Sequence, residues 1–285
     1  MKKFTKMWAI AACALFAGTA AVNAEDYTWK FVTAGDATTY AIRSDGSLWS
    51  WGWNEKGQGG NGVSERTATP TLADGNRVWK KAVGGKAYGF FLAEDGSLWA
   101  AGTHEDGVQG TNDGIDHKVL TRIGTDNDWA DMACSRFWGY SGFAIKTNGT
   151  LWAWGKNSAG QLGIGNTQAQ TAPVQVGADM DWKQVAAGCS SVLALKTDGS
   201  LWGWGFNMYS ELFGHEGKQL SPVRLGSETD WEQVVVIDFR AYAVKKDGTL
   251  WAWGDNANNL LGFNTPTEEE TTAEGNPVEV VTVPQ

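Results

Sequence analysis

Apolar and polar residues alternate in short runs along most of the chain, and the runs come in pairs across a two-residue break. In "FAIKTNGTLWAWG", the run from Phe143 turns at Asn148-Gly149 and leaves through Leu151 to Trp154. Alternation with a period of two predicts strands. Asp-Gly or Asn-Gly between two such runs predicts a tight hairpin, because both turn residues tolerate positive φ. In one representative unit the predicted strands are Trp182–Ala187, Val192–Thr197, Leu201–Gly205 and Pro222–Leu225.

The pattern recurs. Asp45 opens DGSLWSWG, Asp95 DGSLWAAG, Asn148 NGTLWAWG, Asp198 DGSLWGWG and Asp247 DGTLWAWG, at steps of 50, 53, 50 and 49 residues. Trp29, Trp79, Trp129, Trp182 and Trp231 keep the same pace, each at the start of a short apolar run, and "APVQVG", "SPVRLG" and "NPVEVV" mark a fourth strand. Self-similarity at a fixed period governs any local motif. Four short antiparallel strands per fifty residues make one propeller blade. The expected fold is therefore all-β: a β-propeller of five four-stranded blades in one domain, residues 25–285. Its ring is expected to close by pairing of the C-terminal "PVEVV" beside the N-terminal strand at Trp29 to Thr33, since an open ring leaves strand edges exposed.

Tryptophan use fits that architecture. Trp49 and Trp51 lie two apart and share a face. The residue between them and its equivalents are small, namely Ser50, Ala100, Ala153, Gly203 and Ala252. Indoles of one blade are thus expected to fill space above the small face of the next. Of the 17 tryptophans, only Trp53 and Trp138 have no place in the repeat, Trp8 lying in the N-terminal segment.

Composition narrows the function. The net charge is −9, and no Lys/Arg cluster follows residue 6, which argues against nucleic acid and anionic membranes as partners. Residues 1–24 read as a secretory signal: Lys2, Lys3 and Lys6, an apolar run from Met7 to Val22, then small residues up to Ala24. An exported protein is expected, whether periplasmic, surface-bound or secreted. The apolar run continues past Cys13, which disfavours lipidation there, and no later segment has the ~20 apolar residues of a membrane span. Cys134 and Cys189 are left as either one bridge or two small buried residues.

The pattern W-x-x-V-A-x-G, then D-G-x-L-W-x-W-G-x-N-x-x-G-Q-L-G, then P-V-x-V resembles the repeat of the regulator of chromosome condensation family. It is fullest from Phe143 to Gly165 and extends over residues 27 to 283. The resemblance implies a propeller. Well-known members have seven repeats against five here, Ala101 stands where a tryptophan is expected, and GQLG is intact only at Gly160 to Gly163. The prototype's nucleotide-exchange activity toward a nuclear GTPase does not suit an exported chain. Secreted bacterial members, including a β-lactamase inhibitor, act by binding proteins.

Strand parity puts the tight Asp-Gly turns at one end of the propeller and the variable loops at the other, where binding is expected. The loop after the first strand is longest in the third unit, "SRFWGYSG" from Ser135 to Gly142. Trp, Tyr and Arg dominate binding hot spots. The candidate partner-binding residues are Tyr88, Arg136, Phe137, Trp138, Tyr140, Phe239, Arg240 and, on the rim, Trp53, with His104, Phe206, Met208 and Tyr209 at other strand exits. Phe137 or Trp138 has two further readings: plugging the channel, or filling the gap left by Ala101.

No catalytic constellation converges. His104, His117 and His215 lack metal-ligand spacing, so no cofactor or metal is expected. Asp126, Asp128 and Asp131 lack a calcium-loop pattern, and Glu268 to Glu270 form a solvated charge run. The function expected is an exported, non-enzymatic protein-binding module. The alternatives are a carbohydrate-binding propeller, which the unlike loops disfavour, and a bare structural module.

Overall fold

The computed structural model describes residues 28–263 and 276–280. The N-terminal segment 1–24 and Glu268 to Glu270 lie outside the described residues. Five four-stranded antiparallel sheets follow one another along the chain. Blade 1 is β1 (Trp29–Ala34), β2 (Thr38–Arg43), β3 (Leu48–Gly52) and β4 (Thr67–Asp74). Blade 2 is β5 (Trp79–Gly84), β6 (Tyr88–Ala93), β7 (Leu98–Gly102) and β8 (His117–Arg122). Blade 3 is β9 (Trp129–Cys134), β10 (Ser141–Lys146), β11 (Leu151–Gly155) and β12 (Gln170–Gln175). Blade 4 is β13 (Trp182–Ala187), β14 (Ser191–Lys196), β15 (Leu201–Asn207) and β16 (Gly217–Arg224). Blade 5 is β17 (Trp231–Ile237), β18 (Arg240–Lys245), β19 (Leu250–Gly254) and β20 (Val278–Glu279). The five first strands line one central channel, from Thr33 and Ala34 of β1 round to Val234, Val235 and Val236 of β17. This is the five-bladed propeller architecture that the repeat predicts.

The turn that opens each repeat does more than reverse the chain. The Asp45 carboxylate accepts the backbone N–H and the hydroxyl of Ser47, at 2.9 and 2.6 Å, and the Ser47 oxygen accepts the indole N–H of Trp49 at 2.8 Å. The same relay runs Asp95–Ser97–Trp99, Asn148–Thr150–Trp152, Asp198–Ser200–Trp202 and Asp247–Thr249–Trp251. The serine hydrogen bonds hold the Asp45, Asp95 and Asp198 carboxyls below the usual range. The indole after each Leu is thereby fixed near the turn end of the third strand, where it stands edge-on to the first-strand tryptophan, as Trp152 does to Trp129 at 6.0 Å.

Beside these pairs sits a buried cation. Lys196 Nζ lies 5.0 and 4.5 Å from the Trp182 and Trp202 rings and pairs with Asp179 and Asp181. Desolvation opposes its charge, but the two carboxylates outweigh that and raise its pKa above the ordinary lysine value. Lys146 and Lys245 repeat the arrangement. Asp126 and Asp128 are thus the clamp on Lys146, while Asp131 holds Lys81 at 2.5 Å.

The second indole packs between blades. Trp154, Trp204 and Trp253 are buried against the blade that precedes them, each donating its N–H at 2.8 Å to a carbonyl there: Val108, Gln161 and Glu211. The direction is opposite to the expectation, since the indoles rest on the preceding blade. The small central residue has a second reason as well: a Cβ on Gly203 would fall 2.6 Å from Leu212 of its own blade. Gly142 is required by the indole itself, since a Cβ there would lie 2.3 Å from the Trp154 ring. Phe137 and Trp138 do not fill a gap at Ala101: both are exposed, whereas Ala101 is buried in the core cluster that holds Tyr40 and Phe91.

Five blades share four apolar cores, at the junctions 1–2, 2–3, 3–4 and 4–5. The faces of blades 1 and 5 that would make a fifth are open. Trp29 is 50% exposed, whereas Trp79, Trp129, Trp182 and Trp231 are buried. Val32 is 66% exposed, whereas Ala82, Met132, Val185 and Val234 are buried. On blade 5, Leu250 is 39% exposed, whereas Leu48, Leu98, Leu151 and Leu201 are at 0%. Trp29 therefore departs from the buried role expected of the repeat tryptophans, having no preceding blade to cover it. The expected joining of the chain ends also differs. β20 pairs with β19 of its own blade, β1 pairs only with β2, and no ladder joins them among the described residues.

A raised carboxylate gives a pH test of this packing. Glu211 is 1% exposed and accepts the Tyr209 N–H at 2.9 Å, a place held in blades 1 and 3 by Gln58 and Gln161. Burial raises its pKa, partly offset by that backbone hydrogen bond. A raised carboxylate favours folding below its unfolded pKa, and this advantage is lost as pH rises through the folded value. Glu211→Gln should therefore stabilise the protein at pH 7 by about 1 kcal/mol, the order of one buried polar group's desolvation. Melting curves should show the gain at pH 7 and its disappearance near pH 4; equal melting at both pH values would refute the assignment.

Candidate binding face

The loops that follow the five first strands surround the mouth of the channel, and the expanded loop of blade 3 crosses it. Arg136 reaches from that loop to blade 1, where its guanidinium donates to the Ala34 carbonyl at 3.1 Å. Burial raises the Asp36 pKa, opposed by the nearby Phe137 backbone N–H and by the Arg136 charge. On its other side the loop meets blade 4, where a Cβ added at Gly139 would lie 3.0 Å from the Cys189 carbonyl. Cys189 in turn donates its own N–H to the Asp238 carbonyl of blade 5 at 3.2 Å. This expanded loop thus ties the mouth of blades 1, 3 and 4 together and reaches blade 5 through Cys189.

The crossing demands unusual backbone. Phe137 and Tyr140 have φ of 50° and 43°, a region that bulky side chains rarely occupy. The consequence is that the aromatic chains part company. Phe137 and Trp138 point outward, 47% and 64% exposed. Trp138 is the most exposed indole among the described residues, and the Lys86 ammonium lies over its ring at 3.7 Å. Tyr140 is turned in, buried against Tyr88 with rings 6.0 Å apart.

Four of the residues expected on this face therefore do not present a free side chain. Tyr88 is fully buried, its hydroxyl donating to the Ser135 carbonyl at 2.6 Å; it supports the crossing loop from below. Tyr140 is buried beside it. Arg136 spends its guanidinium on Ala34. Arg240 is held by Asp255, both at the carboxylate (2.9 Å) and at the backbone carbonyl (3.1 Å). Phe239 is half-buried and stacks on Tyr209 at 4.8 Å. Trp53 is half-buried on the rim beside Ala37 and Arg66. Its neighbour Asn54 turns inward to hold the following loop through Gly59 and Val63. Met208 and Tyr209, both strand-exit residues, are exposed and extend the patch.

Cys134 and Cys189 are both free, and burial pushes the thiols up to about 12 and about 11. The structure shows no bridge between them, with Cys189 buried and Cys134 half-buried. No helix among the described residues is long and apolar enough to cross a membrane.

With the blades and the mouth in place, comparison with known proteins assigns the repeat. Models of the regulator of chromosome condensation (RCC1) repeat match residues 45–92 and 148–195, and a second model of that repeat matches residues 29–58. Residues 29–92 and 148–195 match RCC1 repeats. It is 30% identical over 163 residues to the ultraviolet-B receptor UVR8 of Arabidopsis thaliana, covering 56% of this chain and 37% of that protein. It is 27% identical over 150 residues to human protein RCC2, covering 52% of this chain and 19% of the other. The chain thus spans well under half the length of either curated relative. Among solved structures, yeast RCC1 (Prp20) bound to Kap60 superposes with a TM-score of 0.77 at 20% identity, covering 91% of this chain and 62% of that one. Human WBSCR16 gives 0.71 at 19%, covering 80% and 62%. These likenesses establish the RCC1-repeat propeller fold, and the five repeats here occupy under two thirds of either solved chain.

Proposed function

We propose that this RCC1-repeat protein is an exported, non-enzymatic binding module that holds a protein partner on the mouth face, with Trp138 and Phe137 as its anchors. The observation that carries the reading is the exposed indole of Trp138 on a loop fixed at both ends, with a cation over one face of the ring. A large aromatic group already held in place loses little conformational entropy on binding, which is why such groups serve as hot spots. Phe137, Met208, and the Tyr209–Phe239 pair widen the apolar surface, and Lys86 and Asp36 supply charge at its centre. The structure of Prp20 bound to Kap60 is consistent with an RCC1-type propeller engaging another protein. Export rests on the pattern of residues 1–24.

The test is capture from the native secretome by the mature protein, repeated with a Trp138→Ala, Phe137→Ala variant. Both side chains are exposed, so circular dichroism and melting should not change. Affinity for the captured partner should fall by about 30-fold or more, the equivalent of a hot-spot loss of about 2 kcal/mol. Unchanged affinity would remove the mouth from consideration. A glycan array run in parallel separates the carbohydrate alternative: a sugar ligand lost on the same double substitution would replace the protein partner.

A further inference from the structure

Every blade presents the same backbone carbonyl to its outer neighbour, and the five are satisfied in two different ways. In blades 2, 3 and 4 the carbonyls of Val108, Gln161 and Glu211 accept the indole N–H of Trp154, Trp204 and Trp253 from the blade that follows, each at 2.8 Å. The second-strand residue beneath each of these carbonyls is Phe90, Phe143 or Leu193. In blades 1 and 5 that residue is a tyrosine. Tyr40 donates to the Gln58 carbonyl at 3.0 Å, and Tyr242 to the Leu260 carbonyl at 2.8 Å, both eighteen residues further along the chain. These are the two blades with no tryptophan to receive. Blade 2 brings Ala101 against blade 1, and no described blade follows blade 5.

The open face of blade 1 is the reverse case. Trp51 is half-buried, stacked near Trp29 at 6.3 Å, and its indole N–H has no acceptor among the described residues. One free face thus carries a donor without an acceptor, and the other a carbonyl that already accepts from Tyr242. Space conflicts as well. At the junction of blades 1 and 2 the Tyr40 phenol fits because blade 2 offers Ala101 and Gly89, where an added Cβ would lie 2.8 Å from the Tyr40 hydroxyl. Blade 1 offers Trp51 and Thr39 at those two places. The rest of the two faces is complementary: Trp29 and Val32 on one, Val244 and Leu250 on the other, in the positions that form the four buried cores. Such a pair of unlike faces on one molecule is a heterologous contact, which adds copies without limit unless it closes.

We propose that Tyr242 is a stop. It keeps the blade 5 face from accepting the blade 1 face, whether of the same molecule or of a second copy, and so holds the seam open and the chain monomeric.

The decisive variant is Tyr242→Phe. Phenylalanine at this position coexists with a following tryptophan in blade 2, where Phe90 and Trp154 meet edge-on at 5.2 Å. Leu260 is exposed, so losing the hydroxyl leaves no buried carbonyl unpaired and the variant should fold. Sedimentation velocity over a wide concentration range, with fluorine NMR of fluorotryptophan-labelled protein, reads both modes of acceptance. The wild type should remain one species with solvent-sensitive Trp29 and Trp51 resonances. Tyr242→Phe should either grow with concentration or, as a monomer, lose the solvent sensitivity of both resonances. Adding Trp51→Phe removes the donor and should restore wild-type behaviour. The proposal is overturned if Tyr242→Phe matches the wild type in both readouts, if the wild type already self-associates or protects these indoles, or if the double variant stays closed.

Discussion

Replacing Trp204 with alanine will cost about 3–5 kcal/mol of stability, the range for deleting a buried aromatic side chain, while the same change at Trp51 will cost about 1 kcal/mol or less, as for a surface position. The two residues occupy the same place in the repeat, and local sequence does not separate them. Their neighbours do. Trp204 is fully buried, lies edge-on to Phe143 and Trp182 at 6.5 and 6.0 Å, and supplies the hydrogen bond to Gln161. Its loss opens a cavity in the 3–4 junction and leaves that carbonyl unpaired. Trp51 faces the open seam, so water already reaches it and it has Trp29 beside it but no neighbouring blade packed over it. Urea unfolding of both variants under identical conditions measures the difference. Equal losses would mean that blade 5 covers Trp51 in solution, contrary to the geometry of the free faces.

The blade itself was legible in the sequence because it is encoded locally. Asp198-Gly199 fixes a hairpin with its own two residues, and the tryptophan at the head of each first strand repeats on a fifty-residue clock. What escaped notice is the chemistry between such markers. The serine or threonine after each Asp-Gly or Asn-Gly relays a hydrogen bond from carboxylate or amide to indole, and its presence in all five units was the available signal. The lysine that ends β10, β14 and β18 was equally periodic, and it accounts for Asp126 and Asp128 better than any metal does.

The ends of the arc and the candidate binding face were less readable, for reasons that lie in distance. The number of units does not state the angle between neighbouring blades, and that angle decides whether blade 5 reaches blade 1. Nothing next to Trp29 in the chain distinguishes it from Trp79; only the absence of a packed neighbour does. On the mouth face the crossing loop was identifiable by its extra length. The fate of its aromatic residues was not, because the positive φ values at Phe137 and Tyr140 send adjacent rings in opposite directions. Trp138 emerges over Lys86, while Tyr140 is driven down onto Tyr88. The crossing of this loop from blade 3 to blade 1 also gives the channel mouth a tie independent of strand pairing, where no ladder among the described residues joins β1 to β20.

Tyr40→Phe should destabilise the protein by about 1–3 kcal/mol, the cost of leaving one buried polar group unsatisfied, although it removes a single oxygen atom. The Tyr40 ring is at 0% exposure, and burial raises its pKa well above the ordinary phenol value, so the hydroxyl is a neutral donor at any pH at which the protein is folded. Its acceptor, the Gln58 carbonyl, belongs to a buried residue, and Ala101 leaves blade 2 without an indole to replace the lost bond. Ala101→Trp alone should be worse, since the indole would enter space held by Tyr40 and Phe91. The double variant Tyr40→Phe, Ala101→Trp recreates the Phe90–Trp154 pairing and should recover part of the loss, which a double-mutant cycle detects as favourable coupling. Additive effects would mean that the carbonyl finds water instead, and that the alternation of phenol and indole along the blades has no energetic basis. Favourable coupling would establish, at a buried junction, the same exchange of donors that sets Tyr242 against Trp51 at the seam.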